Sequence, residues 1–220
     1  MDVNNQADLL PIRKSETEIF NNVKANIVKI FVNRKFINPK NEQKVIDKLI
    51  KDQNDDNEYV INIDNEENYN TKIPNKKIYI KFIFDKINSL NKSSPIAQFI
   101  HNDNKNYKFV VVNDIQTRIK VALENDMTEI YIFKHLKENK VDNNNVSKYH
   151  ALSPDETKEF LESYRLKVAK LPLILSCDMM AKFYRFKKGQ IVKQIKPSNA
   201  TCEIFYYRYV VYKDELSIKT

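Results

Sequence analysis

A single glycine in 220 residues, Gly189, constrains this chain more than any motif it contains. Average usage of about 7% would supply roughly fifteen. A dinucleotide fingerprint needs three glycines and a P-loop needs two. A Gly-x-Ser-x-Gly nucleophile elbow and a kinase glycine loop are equally out of reach. Nucleotide binding on a glycine loop is therefore excluded, and cofactors are expected to be none. Gly189 sits in Lys187-Lys188-Gly189-Gln190-Ile191-Val192-Lys193. That context predicts a tight turn with positive φ that tolerates no side chain.

Charge is uneven. Residues 1–150 carry 24 basic and 21 acidic side chains, a net of +3, and residues 151–220 carry 13 and 8, a net of +5. Between Met179 and Cys202 stand Lys182, Arg185, Lys187, Lys188, Lys193 and Lys196 with no acid among them. Such a patch predicts a polyanion or an acidic protein partner. Cys177 and Cys202 fit no zinc or redox spacing, and His101, His135 and His150 lie far apart, so a metal site is expected to be none. No apolar run reaches the length of a membrane span and no apolar signal region opens the chain, which predicts no membrane contact and an intracellular, reducing location.

Periodicity divides the chain. Residues 1–14 read as a polar leader. Ile19, Phe20, Val23, Ile27, Ile30 and Phe31 predict a helix over 16–33. Asn38-Pro39 starts a second, with Val45, Ile46, Leu49 and Ile50 inward. Polar tracts at 51–58 and 64–76 read as loops, with a short strand at 59–63 between them. Strands at 78–84, 107–112 and 129–133 alternate with helices opened by Ser94-Pro95 and marked by Ile115, Ile119, Ala122 and Leu123. That β-α-β-α-β order predicts an α/β domain with a largely parallel sheet. Asp142-Asn143-Asn144-Asn145 reads as a hinge between a first domain, 1–142, and a second, 143–220. The second opens on a capping box, Ser153-Pro154-Asp155-Glu156. Short strands at 173–175, 191–195 and 205–212, and a brief helix capped by Asp178, make it a small α+β domain.

The run from His150 to Val210 resembles the C-terminal assembly domain of RNA polymerase subunit 5, a family whose archaeal forms consist of this domain without the first half. The residues that carry the likeness come in order: His150, the helix 153–164, Tyr164-Arg165-Leu166, Leu171-Pro172, Ile174, Asp178, Ala181, Phe183-Tyr184, Lys188 to Lys193, Pro197-Ser198 and Tyr207-Arg208. Residues 1–149 resemble the N-terminal jaw domain of the eukaryotic or large-DNA-virus type, whose fold is like restriction nucleases. The chain departs from the family where Pro becomes Met179, Gly becomes Arg185, and Thr-Ala-Gly becomes Ala200-Thr201-Cys202.

The resemblance implies a non-catalytic subunit of a multisubunit DNA-directed RNA polymerase, present in one copy. Catalysis would belong to the two largest subunits. Its small domain would dock on the largest subunit, with Lys187, Lys188, Gly189, Gln190, Lys193, Lys196, Ser198 and Arg208 as candidates. Arg208 lies amid Tyr206, Tyr207 and Tyr209, where a guanidinium can stack and pair at once. The jaw half would lie beside downstream double-stranded DNA and touch phosphate without reading sequence, with Asn113, Gln116, Thr117, Arg118 and Lys120 as candidates. A viral form would sit in host cytoplasm and virion, a cellular one in the nucleus. The alternative is a free-standing nucleic-acid-binding or nuclease-like protein. Against nuclease chemistry, Asp85, Asp114 and Glu129 lie near strand ends, but Glu129-Ile130-Tyr131 lacks the lysine of a Glu-x-Lys motif.

Overall fold

The structure, a computed structural model, describes residues 14–52, 54, 56–64, 76–87, 91, 94–102, 106–138, 147–198 and 202–212. The polar leader up to residue 13, most of the tract at 64–76 and the hinge at Asp142–Asn145 lie outside the described residues.

Helix α1 spans Glu16–Asn33 and begins on a full capping box, with Ser15 and Glu18 each satisfying the other's amide. Its stripe of Val23, Ile27, Ile30 and Phe31 is fully or almost fully buried. Asn38 caps a short 3-10 turn at Pro39–Asn41, and α2 follows over Glu42–Lys51. Strand β1 (Glu58–Asn62) pairs antiparallel with β2 (Lys77–Ile87). Helix α3 (Pro95–His101), β3 (Tyr107–Ile115), α4 (Thr117–Leu123) and β4 (Thr128–Ile132) complete the first half. The sheet order is β1-β2-β3-β4, with β2, β3 and β4 mutually parallel.

Alternation along these strands explains the layers. Ile78, Ile80, Phe82, Tyr107, Phe109, Val111 and Tyr131 face α1 and α2. Ile83, Val110, Val112 and Ile130 face α3 and α4. Burial on both faces is why β3 reads as an apolar run from Phe109 to Val112. Phe133, expected to end a strand, opens a short helix α5 (Phe133–Leu136) instead.

The second half has its own mixed sheet, in the order β5-β7-β8-β6. Strand β5 is Lys148–Ala151, a stretch too short for its alternation to stand out in the sequence. Helix α6 (Pro154–Ser163) keeps the expected Ser153–Glu156 capping box. Strand β6 (Leu173–Leu175), α7 (Met179–Tyr184), β7 (Ile191–Ser198) and β8 (Cys202–Val211) follow. Asp178 caps α7 through Met180 and Ala181 N–H, so the cap survives without proline at the next position. Phe160, Leu171, Ile191 and Tyr207 pack on one face of the sheet; Ile174, Ala181, Phe186, Val192 and Val210 pack on the other. Each half of the chain is thus a mixed sheet with helices against it, an α/β architecture throughout.

Candidate functional site

The turn around Gly189 is closed twice. Gln190 N–H donates to Lys187 O at 3.2 Å, and Lys187 N–H donates to Gln190 Oε1 at 2.7 Å. It is also pinned to β8: Gly189 N–H donates to Val210 O, and Val210 N–H to Gln190 O, both at 3.0 Å. Gly189 has φ +89° as the third of four residues, the type II turn position that favours glycine. A Cβ there would meet only Tyr209 Oη at 3.9 Å, an ordinary contact. The expected positive φ is present, and it strains any side chain placed there. Space is available, and the backbone angle is what selects glycine.

Lys187 and Lys188 stand exposed on this turn, with Lys188 Nζ 5.7 Å from the Tyr212 ring. The other candidates run along β7 and β8, about 23 Å of strand at 3.3 Å per residue. The register sorts them by face. Lys193 shares a face with Tyr207 and Phe205, its ammonium 4.0 Å above the Phe205 ring. Lys196, Ser198 and Arg208 share the opposite face with Gln194, Tyr206 and Ile204. Arg208 therefore has Tyr206 on its own side, and Tyr207 and Tyr209 on the other. Its Nε and the Gln194 Oε1 are buried without a hydrogen-bond partner among the described residues. Gln190 is occupied in closing the turn.

Two members of the basic run do not join this surface. Lys182 Nζ lies 2.7 Å from Glu124 Oε1, and Arg185 Nε lies 3.0 Å from Glu129 Oε1. Both acids belong to the first half. Arg185 also donates to Asp126 O and lies 4.8 Å from the Tyr107 ring centre.

Arg34 completes this junction. Its side chain is 2% exposed and pairs with Glu129 at 2.8 Å. It donates to Lys182 O at 2.7 Å, Phe183 O at 2.8 Å, and the Tyr107 and Tyr131 hydroxyls at 2.9 Å each. Burial alone would raise the Glu129 pKa, but the Arg34 and Arg185 charges outweigh it and hold the carboxyl below its ordinary value. Burial chiefly raises the Tyr107 and Tyr131 hydroxyls. The sequence carried a sign of this: Arg34 continues the buried spacing 27, 30, 31 of α1, where a charge needs a partner.

Of the nucleic-acid candidates, Asn113, Gln116, Thr117 and Arg118 are exposed where β3 ends and α4 begins. Lys120 is set apart. Its ammonium is 3.9 Å from Glu124, in the groove between the halves, where burial and then Lys182 lower its pKa. Of the carboxylates a nuclease would need, Glu129 and Asp114 stand far apart. Glu129 pairs with Phe109, five residues and about 16 Å of strand from Asp114. Asp114 is 3.3 Å from Lys86 instead. Among the described residues no group of three or more His, Cys, Asp or Glu side chains is placed to hold a metal.

The basic 187–190 turn leads from α7 into β7 of the small mixed sheet, and the proteins that this chain resembles belong to transcription. The family described as RNA polymerase Rpb5, C-terminal domain, matches residues 139–210. DNA-directed RNA polymerase subunit 5 of Acanthamoeba polyphaga mimivirus is 24% identical over 208 residues, 92% of this chain and 97% of its own length. The Caenorhabditis elegans DNA-directed RNA polymerases I, II, and III subunit RPABC1 is 27% identical over 143 residues, covering 63% of this chain and 68% of its own. DNA-directed RNA polymerase subunit Rpo5 of Pyrococcus abyssi is 36% identical over 87 residues, which are 40% of this chain and 95% of that one. The chain belongs to the RNA polymerase subunit 5 family.

Proposed function

We propose that this chain is a non-catalytic subunit of a multisubunit DNA-directed RNA polymerase. Its second half, 143–220, docks on the largest subunit through the 187–190 turn and the β7–β8 hairpin. One observation carries this reading: the family match at 139–210 falls on the half that bears the rigid basic turn. The first half, 1–142, is then the jaw, with Arg118 and its polar neighbours beside downstream DNA. Contacts there are to phosphate, because a polymerase slides over every sequence. Co-purification tests the reading. A tagged chain expressed in its source should bring down the two largest polymerase subunits in equal stoichiometry through a high-salt wash, and isolation without them would overturn it.

A further inference from the structure

Strand β8 is paired on both sides only over Tyr209–Val211, where β6 lies beside it. From Ile204 to Arg208 its one partner among the described residues is β7. The direction of each amide follows from two bonds. Tyr209 N–H donates to Pro172 O on the β6 side at 2.8 Å, whereas Val210 N–H donates to Gln190 O on the β7 side. Amides alternate along a strand. Phe205 and Tyr207 therefore aim both N–H and C=O outward, away from β7, in line with β6.

Sheet edges in native proteins are blunted by lysine, proline or a bulge. The edge strand β5 begins with Lys148. The Ile204–Tyr209 edge, Ile-Phe-Tyr-Tyr-Arg-Tyr, has neither lysine nor proline. Phe205 is 48% exposed and Tyr206 45%.

We propose that this edge takes an extended segment of the largest polymerase subunit as an added strand, extending the sheet beside β6. The proposal rests on the docking reading above and specifies its mode. The two faces of the hairpin define the segment's chemistry. Level with Tyr206, the face of Arg208 and Lys196 calls for carboxylates, with one Arg208 nitrogen already buried and unpaired. Level with Phe205 and Tyr207, the opposite face calls for apolar side chains. The segment alternates acidic and apolar residues.

Two measurements test this. Phe205→Pro removes an outward N–H and leaves the β7 pairing intact, whereas Phe205→Ala removes only the ring. Co-expressed with the largest subunit, Phe205→Pro should be captured about tenfold less than Phe205→Ala, from one lost edge hydrogen bond and the obstruction of the proline ring. Equal capture of the two variants overturns strand addition while leaving docking intact. Failure of the wild-type chain to capture the largest subunit overturns the docking reading itself. Residue-resolved hydrogen exchange on the wild-type chain decides independently of whether the proline variant folds. The Phe205 and Tyr207 amides should exchange fast in the free chain and slowly in the complex. Slow exchange in the free chain, from self-pairing or a covering segment, overturns the proposal.

Discussion

Glu129→Gln is the most informative single change, because Glu129 is the shared counter-charge of two guanidiniums. Arg34 reaches it at 2.8 Å and Arg185 at 3.0 Å, with Glu129 16% exposed. Glutamine keeps the shape and removes the charge. Breaking a buried pair by removing one partner typically costs about 3–5 kcal/mol, because the other charge stays buried. Arg34 keeps its bonds to two carbonyls and two hydroxyls, which places the expected loss near the lower end, about 3 kcal/mol. With a urea slope of roughly 2–3 kcal/mol per molar, the unfolding midpoint should fall by about 1 M or more. Far-UV circular dichroism is the readout, since the chain has no tryptophan. Adding Arg34→Met should recover part of the loss by removing the stranded charge. A midpoint drop below about 0.3 M, or a double variant weaker by the full sum of both changes, refutes the account.

The same residue sets an acid dependence. The Glu129 carboxyl is held below its ordinary value of 4.5 in the folded chain. A depressed folded pKa contributes stability that is complete above the unfolded value and is lost as pH falls through the folded one. Wild type should therefore lose stability below about pH 4.5. Glu129→Gln should lack that component, and parallel pH–stability curves for the two proteins would contradict it.

The remaining predictions concern the turns and the charged surface. Gly189→Val should destabilise the second half by more than about 1 kcal/mol through φ alone, with Gly189→Asn milder, and equal melting temperatures for both variants and wild type would show that the turn relaxes. Arg185→Gly should change stability by less than Glu129→Gln, because the relief of a left-handed residue at φ 57° offsets part of the loss of its ion pair, its bond to Asp126 O and its Tyr107 ring contact; chemical denaturation of the pair ranks them. Charge reversal at Lys187 and Lys188 should weaken capture of the largest subunit more than Arg118→Ala does, and equal pull-down yields would contradict that assignment. Arg118→Ala should instead lower the salt slope of DNA binding by about one, uniformly across sequences.

Local signals carried most of the element boundaries. The α1 periodicity, the α6 capping box, the Ser94-Pro95 and Asp178 caps, and the two-sided apolar run of β3 all form where the residue pattern placed them. Strand β5 was hidden because Lys148-Tyr149-His150-Ala151 is a four-residue edge, half exposed and too short for its alternation to stand out. The junction was hidden for another reason. Lys182 and Arg185 sit in a run of like charges, and nothing local distinguishes a lysine facing solvent from one facing Glu124 across 58 positions. Lys24 makes the same point. By composition it is a solvated charge, yet it is buried, donates to Leu49 O at 2.9 Å and lies 4.1 Å from the Tyr59 ring centre. Long-range partners decide such residues, and local periodicity is silent about them.

The scarcity of glycine has a structural consequence beyond the motifs it excludes. Among the described residues, six that are not glycine adopt positive φ: Lys35, Asn57, Lys76, Arg165, Arg185 and Cys202. For residues other than asparagine this conformation costs roughly 1–2 kcal/mol each. Against a total stability of the order of 5–15 kcal/mol, the five others are a sizeable cost that side-chain contacts can offset. Arg185 shows how. It ends α7 in the left-handed conformation, and its side chain then reaches Glu129, Asp126 O and the Tyr107 ring in the other half. Where the family pattern has a bare turn, this chain has a strained one with a guanidinium that ties the two sheets together. Gly189 kept its glycine at a place where a Cβ would meet only Tyr209 Oη, 3.9 Å away, too loose a contact to offset the strain.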